Sequence, residues 1–304
     1  MGTVDSEHLE DVCEDWKLWR YMSFAKFMNL LMTDNLHFHE AADFTDNFEG
    51  TVPEAVKDAM KEEYEEAAEA GEFSEDGLDE HKRLVGILRK NTYLSCWHHK
   101  TTESAAMWAY YGDQDGSVAI ETNVGQLKRA LLPADPDIHL AEVEYTIFKE
   151  ENRDENEDIN DVDVEELNPK FFLTRDKSNT FAPFLYKRQS FDFEEEVRAI
   201  IQTPSYTDDP DDKDALDIRI DIEGESKYLL DDTDTSRKGY DVDIMLEDLI
   251  EKIHVSPGSG GWILDTIRAA VEAKEGLPSD EDEIKDLVVK SQLDENPVFG
   301  PDSK

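Results

Sequence analysis

Hydrophobic residues first recur at helical spacing in SFAKFMNLLMTDN, where Phe24, Phe27, Leu30 and Leu31 share one face. The period then drops to two. In NLHFHE, Leu36 and Phe38 alternate with His37 and His39, which predicts a short strand with both histidines on one side. ADFTDNFEG is turn-rich. From Pro53 to Gly71 the pattern predicts a surface helix, with proline early and glycine at its end. LDEHKRLVGILRK predicts a second helix that leads into a strand, NTYLSCW. TTESAAMWAYYG predicts a short helix capped by Thr101 or Thr102. DGSVAIE reads as a strand, VGQLKRALL as a helix and AEVEYTIF as one alternating strand.

Further on, KFFLTRDKSNTFAPFLYKR reads as helical in its halves with a break near Pro183. FDFEEEVRAIIQ, LDIRIDIEG, GYDVDIML and EKIHVSP read as strands. WILDTIRAAVEAKEG and DEDEIKDLVVKSQL read as helices. Two acidic stretches, at about 149–169 and 205–215, read as solvated loops that project outward. Helices separate the early strands, and strands cluster later. That order predicts an α+β fold, with a central mixed sheet and flanking helices. No break in composition divides the chain. One domain is expected over residues 16–293, with tails at 1–15 and 294–304.

Charge changes what this fold says about its surroundings. The 304 residues hold 74 acidic and 31 basic side chains, a formal net charge of −43. The excess is spread along the whole chain. Repulsion of this size weakens a compact state in dilute salt and is screened in concentrated salt. The composition therefore points to a salt-loaded cytoplasm, as in an extreme halophile. It also hides any local basic patch from a test based on total charge. No apolar run approaches the eighteen residues of a membrane span, and the start carries no signal-peptide pattern, so a cytoplasmic protein is expected. The two cysteines, Cys13 and Cys96, form no CxxC, so no thiolate zinc site is expected.

Three constellations could carry chemistry. His37 and His39 share a strand face but lack a clear third metal ligand, while the adjacent His98 and His99 diverge. SPGSGGW lies between a strand and a helix but matches neither GxGxxG nor GxxxxGK[ST]. The aromatics are more informative. Trp108 and Tyr111 share a helix face, Tyr110 and Tyr111 approach a loop edge, and Trp97 ends the preceding strand. These rings suit a core that opens into an apolar-walled cleft.

FDFEEEVRAII is the sharpest polar signal. As one strand it puts Glu194, Glu196 and Arg198 on one face, with Lys187 and Arg188 in the flank. A carboxylate beside an arginine keeps its charge in a cleft and can position a hydroxyl or a water. Glu196 is the first choice for that role, with Glu194 nearly equal. An ion-pair ladder on a solvated sheet is the alternative.

Together these segments resemble the DUF2971 family of bacterial and archaeal proteins. LWRYMSF and LHFHEAADFTDNFEG resemble the family's opening, with Asp46-Asn47-Phe48-Glu49 where the family phrase has Asp-Pro-Phe-Glu. YLSCWHHKTTESAAMWAYYGDQDGSVAIE resembles its middle element, FDFEEEVRAI a late E-x-E-v-R phrase, and LIEKIHVSPGSGGW the element after it. The resemblance runs from about Leu18 to Leu293. Its layout is in turn similar to ADP-ribosyltransferase-like folds. That similarity implies NAD as the ligand. Arg20 or Tyr21 would meet it, Tyr110 or Tyr111 would stack on nicotinamide, and Glu194 or Glu196 would be catalytic. Trp97, Trp108 and Arg198 would complete the cofactor-binding wall. The chain departs from those folds in lacking a Ser-Thr-Ser phrase, for which Ser95 is a loose substitute. A non-catalytic module binding a nucleic acid or an effector, in antiviral defence or stress response, is the competing reading.

Overall fold

The computed structural model describes residues 12–54, 57–58, 61, 77–112, 116–146, 177–209, 211–212, 214–222, 225–230 and 238–294. Most of the helix expected from Pro53 to Gly71, the acidic loop at 149–169 and most of both tails lie outside the described residues.

Strands β1 (Lys17–Ser23), β2 (Asn35–Glu40), β3 (Thr92–His99), β4 (Ser117–Asn123) and β5 (His139–Glu142) come first. They are followed by β6 (Glu144–Thr146), β7 (Tyr186–Arg188), β8 (Glu196–Gln202), β9 (Tyr206–Thr207) and β10 (Ala215–Ile222). The last are β11 (Glu225–Leu230), β12 (Gly239–Asp243), β13 (Lys252–Val255) and β14 (Val288–Lys290). Helices α1 (Phe24–Thr33), α2 (Gly77–Lys90), α3 (Ala105–Tyr111), α4 (Val124–Ala130), α5 (Leu246–Leu249), α6 (Gly261–Glu272) and α7 (Glu281–Leu287) lie between them.

The main sheet runs β12-β2-β3-β1-β4-β13-β14, with β8 on β3 and β5 on β8. Its pairs are antiparallel except β13 with β14, so the sheet is mixed and the fold is α+β in one domain. Alternation along the strands divides its two faces. One face carries Leu18, Leu36, Phe38, Val118, Ile120, Val197, Ile253 and Val255, packed beneath α1, α4, α6 and α7 in the principal core. The other face is aromatic and charged. It carries Trp19, Tyr21, Cys96, His98, Glu121, Glu196, Arg198 and His254.

A split in the sheet positions the candidate site. β8 pairs with β3 from Thr92 to His98, along one whole edge. The opposite edge is shared. β1 pairs only at Leu18↔His99 and Trp19↔His98, and β2 only at His39↔Leu94 and Glu40↔Tyr93. β1 and β2 therefore diverge from the middle of β3, and α1 joins their far ends. Ser23 caps α1, and Asp34 ends it in the left-handed region at φ 54°, which turns the chain sharply back into β2.

Several expected boundaries move. AEVEYTIF breaks at Val143: β5 joins β8 in the main sheet, whereas β6 pairs in parallel with β7. The Val143 amide bonds to Glu196 O and the next to Leu185 O, so the break lets one segment serve two partners. DEDEIKDLVVKSQL stays helical only to Leu287. Its apolar VVK continues as β14, because β13 has a free edge beside it. α3 is capped by Ser104, whose hydroxyl accepts from the Met107 amide, and not by Thr101 or Thr102. The half around Pro183 is a 3-10 helix, Lys177–Phe184.

Candidate functional site

FDFEEEVRAII is not one strand. Gln189–Glu194 form a 3-10 helix, Glu195 takes a left-handed conformation at φ 36°, and β8 begins at Glu196. The expected face is nevertheless reached. The turn at Glu195 reverses Glu194 so that it meets Glu196 across the ammonium of Lys187. That turn is gripped by the end of β3. The His99 amide donates to Glu195 O at 2.7 Å, His98 Nδ1 lies 2.5 Å from Glu194 O, and Lys100 pairs with the Glu195 carboxylate.

Behind it stands a chain of buried charges. Arg198 has no exposed surface. Its Nε donates to Glu196 Oε1 at 2.7 Å, while Nη1 and Nη2 donate to the two oxygens of Glu49 at 2.6 and 3.0 Å. Lys187 Nζ donates to Glu196 Oε2 at 3.0 Å and to Glu194 Oε2. Tyr111 completes the set, donating to Glu194 Oε1 at 2.7 Å. Gly50 helps Glu49 arrive. Its φ is +66°, and a Cβ there would sit 2.5 Å from the Phe184 ring.

Two cations thus serve three carboxylates, and the environments of the latter diverge. Burial pushes the Glu194 carboxyl up, against the pull of Lys187. Burial also opposes charge on Glu196, but Arg198 and Lys187 outweigh it and hold that carboxyl well below its usual range. For Lys187, burial works against the charge and the carboxylates of Glu196 and Glu194 overcome it, so its pKa rises. Two neighbouring carboxyls driven apart in this way are suited to opposite proton roles.

Both glutamates and Lys187 line a cavity of about 610 Å³ that extends to the split in the sheet. The size is typical of a site for a small organic ligand. Arg20 stands at the split. Nη1 donates to Ser95 Oγ at 2.5 Å, Nη2 to His37 O at 2.9 Å, and its guanidinium lies 5.3 Å from the Trp97 ring centre. Burial lowers its pKa to about 10, which leaves it charged at neutral pH. Lys26, His37 and His39 line the same end, whereas Trp19, Tyr21, Tyr110, Tyr111 and Phe191 supply rings.

Of the residues singled out in the sequence, Arg20, Tyr21, Trp97, Tyr111, Glu194 and Glu196 converge on this cavity. Trp108 and Arg198 stand behind its wall. Trp108 packs edge-on against Tyr21 at 4.9 Å and donates to Glu103 at 2.9 Å. The Tyr111 hydroxyl is engaged by Glu194, while Tyr110 is 60 % exposed at the rim and offers the freer ring. Sequence reasoning gave no role to Glu49 or His98. Glu49 lies 149 residues from its partner Arg198, and its one signal is the Phe48-Glu49 end of the opening phrase. His37 and His39 do lie on one face, but His37 pairs with Asp241 at 2.7 Å. Among the described residues no group of three histidine, cysteine or acidic side chains could hold a metal ion. Cys13 and Cys96 are free thiols.

A family model described as "Protein of unknown function (DUF2971)" matches residues 107–199, just under a third of the chain. The matched segment runs from α3 into β8 and so holds Tyr110, Tyr111, Lys187, Glu194, Glu196 and Arg198, which places the carboxylate wall inside the DUF2971 pattern. No curated protein and no solved structure matches the chain. Among the described residues no helix is long and apolar enough to cross a membrane.

Proposed function

We propose that the cavity binds NAD as a substrate and that the protein transfers its ADP-ribose unit to an acceptor. The observation that carries this reading is the wall itself. Glu194 and Glu196 share Lys187, are driven to opposite proton affinities, and face a cavity whose other end holds Arg20 and Lys26. The two cations suit a pyrophosphate, and the rim ring of Tyr110 suits a flat cationic base.

The step balances with the chain's own groups. The bond from ribose C1′ to the nicotinamide nitrogen breaks, and nicotinamide leaves with the bonding pair. Glu196, kept ionised by Arg198 and Lys187, stabilises the positive charge that develops at C1′. An acceptor oxygen then bonds to C1′, and its proton passes to Glu194. A carboxyl with a raised pKa is the better proton carrier of the two. This assigns the anion's role to Glu196 and the proton's to Glu194.

The test is release of nicotinamide from NAD, measured with a thermal melt. Glu194→Gln keeps the shape of the side chain and should slow release by about 10²- to 10⁴-fold without unfolding the protein. Release that survives the substitution removes Glu194 from the reaction. Binding of a nucleotide or effector without any release supports the non-catalytic reading. That reading is favoured by one observation, that Glu49, Arg198, Glu196 and Lys187 already satisfy one another. We further infer from the charge of −43 that either activity operates in a salt-rich cytoplasm.

A further inference from the structure

The wall that carries Glu194 also carries a nitrogen with no part in that scheme. His98 is 1 % exposed, lies on the aromatic face of β3 and lines the cavity. Its Nδ1 is 2.5 Å from the carbonyl oxygen of Glu194. A carbonyl can only accept, so Nδ1 carries the hydrogen and Nε2 keeps a lone pair. Burial lowers the pKa of the ring and holds it neutral. Among the described residues, Nε2 has no hydrogen-bond partner. The nearby indole donor is already spent, since Trp19 Nε1 donates to Lys100 O at 2.8 Å. The Tyr21 ring meets the imidazole edge-on, at 6.1 Å between centres. A buried acceptor with no donor is uncommon in native proteins, and a ligand that brings a donor removes the cost.

We propose that His98 Nε2 accepts a hydrogen bond from an N–H or O–H group of the bound ligand, and that in a nicotinamide dinucleotide this donor is the carboxamide amino group. The identity of the ligand rests on the NAD reading above. The selectivity rests on the geometry of His98. A nicotinic acid ring presents a carboxylate in the same place. It brings no hydrogen, and its charge faces a lone pair. The site should therefore prefer the amide to the acid, as sites built around one hydrogen bond reject analogues that lack it. Because Nδ1 is tied to the backbone of Glu194, the same imidazole couples recognition of the ring to the position of the carboxyl beside it.

Two substitutions separate the two nitrogens. His98→Asn keeps a donor near the Nδ1 position and deletes Nε2. His98→Gln places an amide oxygen near Nε2 and gives up the donor to Glu194. Calorimetric binding of NAD and of its nicotinic acid analogue is measured for wild type and both variants. Wild type should bind NAD at least about tenfold more tightly than the acid. His98→Asn should reduce that preference to within about twofold, and His98→Gln should retain it. Equal binding of the two dinucleotides by wild type overturns the inference and leaves the NAD reading standing. A preference that persists in His98→Asn overturns it in the same way. Failure of both dinucleotides to bind refutes the NAD reading and this inference with it. Nitrogen-15 spectra of the free protein give an independent check. They should show His98 with a protonated Nδ1 and a bare Nε2, and an imidazolium or the opposite tautomer overturns the proposal.

Discussion

Arg198 lies wholly inside the protein, where two carboxylates and the carbonyl of Phe184 share its guanidinium. Its planar fork meets both oxygens of Glu49 at once, a geometry that lysine cannot copy. Removing one member of a buried pair costs more than the pair contributes, because the remaining charge stays buried without compensation. Arg198→Met leaves Glu49 and Glu196 in that state. It should lower stability by about 3–5 kcal/mol, read from denaturant unfolding in high salt. A loss under about 1 kcal/mol would show that the carboxylates relax or take up protons at little cost. The same logic makes Glu196→Gln a poor probe of chemistry by itself, since it also disturbs Arg198 and Lys187. Glu194, with its phenol partner at the cavity, is the cleaner residue to change.

At the scale of elements, α3 is fastened to the sheet by a second buried charge cluster. His254 on β13 has Nε2 2.6 Å from Glu121 of β4 and Nδ1 3.2 Å from Glu103, just before α3. Glu103 also accepts from Trp108 of α3 and from Ser291 and the Gln292 amide, which follow β14. One carboxylate therefore joins α3, the sheet and the C-terminal strand, and α3 carries Tyr110 and Tyr111 to the cavity. Burial opposes charge on His254, but Glu103 and Glu121 outweigh it and raise its pKa above the ordinary 6.5. A group whose folded pKa is raised contributes stability in full below its unfolded value and loses it as pH rises through the folded one. Both carboxylates are lowered to about 2 despite burial, with His254 the main cause, so their contribution is lost as pH falls from 4.5 toward 2. His254→Gln should flatten the decline of stability above pH 6.5, seen in melts across pH against wild type. An unchanged alkaline limb would mean that the imidazole is not charged in the folded protein.

At the scale of the whole molecule, the net charge of −43 makes self-repulsion the contribution most sensitive to ionic strength. The cavity lining is close to balanced, with Arg20, Lys26 and Lys187 against Asp46, Glu49, Glu194 and Glu196, so nearly all of the acidic excess lies elsewhere on the chain. Screening shortens the range of repulsion to about 3 Å at molar salt. The melting temperature should rise on the order of 10 °C between 0.1 and 3 M KCl, the shift expected for a gain of a few kcal/mol in a chain of this size. A melting temperature independent of KCl would detach the composition from salt adaptation.

Periodicity by itself determined the α1–β2 unit, strands β3, β4, β12 and β13 of the central sheet and the α+β class, because the face of an element is written in its local spacing. Phe27, Leu30 and Leu31 are buried together on α1, and His37 and His39 share one exposed face of β2, as their intervals require. The sequence also brought Glu194 and Glu196 to one face, although by strand parity that does not operate there. Only the tertiary structure decided the rest. The left-handed turn at Glu195 is imposed by contacts from the end of β3, about a hundred residues earlier, and no local pattern encodes it. Arg198 looked like part of a cleft and became the centre of a buried network, because Glu49 approaches from the far end of the chain. The cavity itself exists because β1 and β2 share one edge of β3 and diverge. Which strands compete for an edge depends on long-range pairing, and hydrophobic alternation within each strand is silent about its neighbours.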